Sequence, residues 1–128
     1  MLKTNSKKAR ENIRNYIIAN YDGAGYDLPE TDDFKTIAKT IYRTFTEEKY
    51  YGAENAQRRG MSKIDLFREW AAGLPSILDT CYYYNRSAVD DLAAILEETD
   101  TEKSKYNEQR AEYLLTNLIY REIIKEVE

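Results

Sequence analysis

Apolar positions recur at helical spacing along most of the chain, and no stretch alternates as a half-buried strand would. The spacing predicts a first helix over 6–20, capped by Ser6 or Asn5, with Ala9, Ile13, Tyr16, Ile17 and Asn20 on one face. Lys7, Arg10 and Arg14 fall on a neighbouring face. A turn rich in glycine and aspartate follows at 21–27. A second helix is expected over 31–47, with Thr31 as cap, Asp32 and Asp33 in the first turn, and a core stripe of Phe34, Ile37, Ala38, Ile41, Tyr42 and Phe45. Tyr50, Ala53, Ala56 and Gln57 suit a short helix that Gly60 would end. Ser62 with Asp65 opens another, whose stripe is Ile64, Phe67, Trp70 and Ala71.

Gly73-Leu74-Pro75 breaks that pattern, and Pro75 is placed to start a helix over 75–84 with Ile77, Leu78, Cys81 and Tyr82 as core positions. Ser87 and Asp90 form the next capping pair, ahead of Val89, Leu92, Ala93, Ile95 and Leu96. Thr99-Asp100-Thr101 is read as the cap of a last helix over 102–126. In that helix Ala111, Leu114, Leu115, Leu118 and Ile119 make one broad face, and Tyr106, Tyr113, Tyr120 and Ile124 a second. The expected fold is all-α: a compact orthogonal or irregular bundle of five to six helices, one domain over 1–128 with 1–5 and 127–128 frayed.

Composition narrows the chemistry. The 128 residues include 42% apolar ones, enough for a core without disulfides or metals. There is no histidine, which removes the commonest general base and zinc ligand. The single cysteine, Cys81, excludes an internal disulfide and reads as a structural thiol in a reducing compartment. No phosphate-binding loop, dinucleotide fingerprint or calcium loop is present, so no cofactor and no metal is expected. The carboxylate pairs Asp32/Asp33 and Asp90/Asp91 read as helix-start stabilisation, since adjacent helical side chains diverge by about 100 degrees. The chain reads as cytoplasmic, with no leader and no membrane span, and Asn85-Arg86-Ser87 is set aside as a glycosylation site.

Charge is unevenly distributed along the chain. The net charge is −4, yet residues 1–20 hold five bases against one acid. Residues 21–34 hold five acids, and residues 81–100 stand at −4. Lys7, Lys8, Arg10 and Arg14, extended by Arg58 and Arg59, are candidate phosphate contacts. The acidic stretches raise the alternative of a surface that mimics nucleic acid, as an antirestriction-type inhibitor would.

Tyrosine is abundant, at twelve residues. Tyr82-Tyr83-Tyr84 covers about 200 degrees of a helix and cannot all enter one core. Tyr82, Tyr83, Tyr84, Tyr106, Tyr113 and Tyr120 are therefore candidate interface residues, toward a protein partner or a second copy in a homodimer. The first functional expectation is a non-enzymatic protein-interaction module, and the alternative is a DNA-associated accessory or regulator using the N-terminal basic helix.

The stretch Phe67-Arg68-Glu69-Trp70-Ala71-Ala72-Gly73-Leu74-Pro75-Ser76-Ile77-Leu78-Asp79-Thr80, followed by Tyr82-Tyr83-Tyr84-Asn85, resembles short uncharacterised proteins of gut Firmicutes carried on conjugative or other mobile elements. These residues are 18 of the 128. The resemblance implies a bacterial accessory protein of mobile DNA and carries no active residues with it.

Overall fold

A computed structural model describes residues 1–20, 31–47, 59–70 and 87–128. Within them the chain is all-helical, with no strand. The elements are α1 (Lys7–Asn20), α2 (Phe34–Thr46), α3 (Lys63–Trp70), α4 (Ala88–Leu96), the single turn α5 (Asp100–Lys103) and α6 (Glu108–Val127). They form the expected compact bundle, organised around α6, which packs against α1, α2 and α4. The expected short helix of Tyr50, Ala53, Ala56 and Gln57 and the one over 75–84 lie outside the described residues, as do Cys81 and the Gly73-Leu74-Pro75 break.

Local chemistry accounts for most of the helix starts. Ser6 Oγ accepts from the Ala9 amide at 3.2 Å, so the predicted cap opens α1. Ser62 does the same for Asp65 at 3.2 Å, and Ser87 for Asp90 at 3.3 Å. The Glu108 carboxylate adds to the start of α4, accepting from Ser87 Oγ at 3.0 Å and from the Ala88 amide. Gly60 adopts φ +76°, a left-handed conformation that glycine takes without a Cβ penalty.

Two starts differ from the sequence reading. Asp33, not Thr31, is the cap residue of α2, and Thr31 Oγ1 instead accepts from the Asp33 amide at 3.0 Å. Thr99 does cap a helix, but that helix is α5 and lasts one turn. Its capping box with Glu102 is complete, since the Thr99 amide donates to Glu102 Oε1 at 3.0 Å. The long helix begins later, where Asn107 Oδ1 accepts from the Arg110 amide at 2.7 Å. Tyr106 lies between the two helices, half-buried against the core with its hydroxyl donating to Glu98 Oε1 at 3.1 Å. That anchoring fits a bend at 104–107 rather than one continuous helix.

The core joins Ala9, Ile13 and Ile17 of α1 to Ile37, Ile41 and Phe45 of α2, Leu92 and Ile95 of α4, and Leu115, Ile119 and Ile123 of α6. Every one of these lies on a stripe spaced three or four residues apart. Phe67 enters from α3 as an aromatic hub. Its ring sits 5.3 Å from Tyr42 and 5.7 Å from Phe45, both edge-on, and stacks 5.3 Å from Tyr120. Leu66, which the sequence reading left off the α3 stripe, is also buried.

Candidate phosphate-contact surface

Glu122 is the most unusual residue of the described fold. It lies on α6 among Leu118, Ile119 and Ile123, and its side chain has no exposed surface. An ionised carboxylate in that position needs charged donors. Arg10 Nε donates to Oε1 at 3.0 Å and Arg14 Nε to Oε2 at 3.2 Å, so each oxygen has its own arginine. Arg121 Nη2 lies 3.8 Å from Oε1 and donates to the Thr4 carbonyl at 2.5 Å. Arg121 Nε is buried with no hydrogen-bond partner among the described residues. Arg14 also reaches Glu126, with Nη2 at 3.7 Å from Oε1, and its guanidinium lies 5.1 Å above the Phe34 ring.

These pairs place the basic side of α1 against α6 and the start of α2. Arg10, Arg14, Lys7, Asn5 and Glu11 line a cleft of about 390 Å³. Glu126 also borders a second, wider depression of about 660 Å³ with Lys35, Lys39 and Arg43 of α2. Lys35, Lys39 and Arg43 are exposed and follow one another at four-residue intervals. They form no ion pair among the described residues. Cations of α1 and α2 thus flank Glu126 of α6, which pairs with Arg14 and borders the α2 row.

The acids between Asp90 and Glu102 are held in contacts of their own. Asp90 pairs with Lys103 at 2.8 Å, Asp91 accepts from the Tyr16 hydroxyl at 2.8 Å, and Glu98 accepts from Tyr106. Thr99 hydrogen bonds hold the Glu102 carboxyl below the usual carboxylate range. Among the described residues, no group of three acidic or cysteine side chains is arranged to hold a metal ion. No described helix is long and apolar enough to cross a membrane.

The sequence-derived candidates separate into groups. Of the basic set, Lys7 and Lys8 are exposed on the first turn of α1, while Arg10 and Arg14 bond to Glu122. Arg59 is exposed, and Arg58 lies outside the described residues. Of the tyrosines, Tyr82, Tyr83 and Tyr84 lie outside the described residues. Tyr106 and Tyr120 pack against the core margin, with Arg110 5.7 Å above the Tyr106 ring. Tyr113 is 68% exposed on α6, one turn from the exposed Gln109 and Asn117. The sequence reading missed Glu122, Arg121 and the α2 row. A lone acid inside an apolar stripe was the available signal for Glu122, and the four-residue spacing was the signal for the row.

In comparisons with known proteins, no family model, no curated protein and no solved structure matches the chain.

Proposed function

We propose that this chain is a helical interaction module whose working surface is the basic side formed by α1, α2 and α6, and that this surface meets the phosphates of a nucleic acid. One observation carries the reading: in a chain of net charge −4, Lys7, Arg10 and Arg14 line one depression and Lys35, Lys39 and Arg43 another, outnumbering Glu11, Glu126 and Glu128, and the Arg14–Glu126 pair links the two. Cations in such an arrangement attract a polyanion at long range and release its counterions on contact. The first turn of α1 also carries Lys7 and Lys8 and no acid, although the positive end of a helix dipole disfavours cations. A phosphate backbone alongside relieves that repulsion.

The test is fluorescence anisotropy with a labelled DNA duplex over a series of salt concentrations. Neutralising about four phosphates gives a log–log salt slope near −4. Failure to bind at about 50 mM salt rejects the reading.

Tyr113 supports a second reading, self-association. Its exposed ring between Gln109 and Asn117 has the composition of a contact surface. Light scattering on the wild-type chain and on Tyr113→Ser distinguishes the two readings, because a monomer removes the second and leaves the first.

A further inference from the structure

We propose that Lys7, Arg10 and Arg14 form a discrete seat for one phosphate group, and that Glu122 is the positioning residue that aims the two arginines into it. The proposal takes the source of the phosphate, a nucleic-acid backbone, from the reading above.

The geometry of the carboxylate comes first. Glu122 occupies the Nε–H of Arg10 on one oxygen and that of Arg14 on the other. A guanidinium held through Nε keeps one terminal nitrogen on the carboxylate side and directs its outer edge away from the anchoring oxygen. The terminal nitrogens of Arg10 make no hydrogen bond among the described residues. The side chains of Arg10 and Arg14 are 34% and 35% exposed, although the carboxylate between them is fully enclosed. The ion cluster is therefore closed toward the core and open toward the cleft. Asn5, Lys7 and Glu11 complete the cleft wall.

Charge favours an anion in that opening. Arg10, Arg14, Arg121 and Lys7 stand as four positive charges against the three acids Glu122, Glu126 and Glu11, a surplus of one. Lys7 lines the cleft as an exposed cation with no ion pair among the described residues. The outer guanidinium edges of Arg10 and Arg14, the latter shared with Glu126, and the Lys7 point charge suit a tetrahedral oxyanion with several acceptor oxygens. The arginine heads are already ordered by Glu122, so less freedom is lost when the ligand arrives.

The experiment follows the arginine Nε–H signals of the 15N-labelled full chain while inorganic phosphate replaces chloride at constant ionic strength. The expected result is a saturable shift at Arg10 and Arg14. It weakens about tenfold in Lys7→Gln and in Arg10→Lys at unchanged helicity. Lys7 is exposed, so Lys7→Gln keeps the test valid if Arg10→Lys unfolds. No shift, or the same shift with chloride alone, overturns the seat. In Glu122→Gln the Arg14 Nε–H signal moves and phosphate affinity falls at unchanged circular dichroism. Wild-type phosphate affinity in that variant overturns the positioning role.

A duplex-binding arm separates the two claims. Lys7→Gln should reduce the salt slope of duplex binding by about one. Phosphate binding without duplex binding rejects the nucleic-acid reading and keeps the seat. Duplex binding unchanged by Lys7→Gln and Arg10→Lys, with no phosphate shift, rejects the seat and keeps the reading.

Discussion

Arg14 meets Glu122 across the contact between α1 and α6, with Nε 3.2 Å from Oε2, and the carboxylate it meets has no exposed surface. This pair and its Arg10 counterpart tie the first helix to the last. Removing one partner of a buried ion pair strands the other. Glu122→Ala leaves Arg10 and Arg14 converging on an empty position. It is expected to lower the unfolding free energy by about 3 kcal/mol. Glu122→Leu restores apolar volume but not the pairing, and should recover part of the loss. Urea denaturation monitored by circular dichroism measures both.

Phe67 makes a different kind of joint. One ring from α3 touches Tyr42 and Phe45 of α2 and stacks on Tyr120 of α6. Phe67→Ala opens a cavity among three aromatic rings and should cost about 4 kcal/mol. Phe67→Leu fills most of that volume and should cost less than half as much. Because Tyr120 rests on Phe67, loss of the ring should also change the near-ultraviolet tyrosine spectrum of the folded protein.

Tyr42 and Tyr106 give the fold an alkaline limit. Burial raises the Tyr42 phenol above its ordinary value, helped by Tyr120 nearby. Burial raises Tyr106 as well, and the hydrogen bond it donates to Glu98 adds to the effect. Each phenol therefore stays neutral in the folded state at a pH where the unfolded chain has begun to ionise. Their contribution to stability is complete below the unfolded value of about 10 and is lost as pH rises through the folded values. Urea midpoints should fall steadily above about pH 10. Tyr106→Phe should flatten that fall while lowering stability at neutral pH, because Glu98 loses its donor.

The apolar pattern made the bundle legible because helical spacing and core burial report the same geometry. Ala9, Ile13 and Ile17 were readable from spacing alone, and each is fully buried. Ser6, Ser62 and Ser87 marked helix starts because a hydroxyl next to free amides acts locally. The α5–α6 break was not readable. Thr99 and Asn107 are both competent caps, and the choice between one helix and two involves the distant anchoring of Tyr106. The basic surface was half legible. Lys7, Lys8, Arg10 and Arg14 stood out as a run of charge, but the common partner of the two arginines lies more than a hundred residues along the chain. Of the tyrosine face expected on α6, Tyr120 stacks on Phe67 while Tyr113 is exposed, a split that helical spacing alone does not report.

The α2 row offers a test of the basic surface that leaves the Glu122 cluster untouched. Lys35, Lys39 and Arg43 span about 12 Å of helix, since each residue rises 1.5 Å. All three are exposed, so neutral replacements disturb no core contact. The triple variant Lys35→Gln, Lys39→Gln, Arg43→Gln should retain its helicity. If the row contacts the duplex, the log–log salt slope should become shallower by about 2 to 3, one unit for each lost phosphate contact. Lys105→Gln, on an exposed lysine beside the acidic α5 turn, should leave the slope unchanged. An equal effect from both variants would mean that net charge alone drives binding, and the surface would lose its claim to be a site. A shallower slope in the triple variant alone would place the phosphate track on α2, continuing from the Arg14–Glu126 contact toward Arg43.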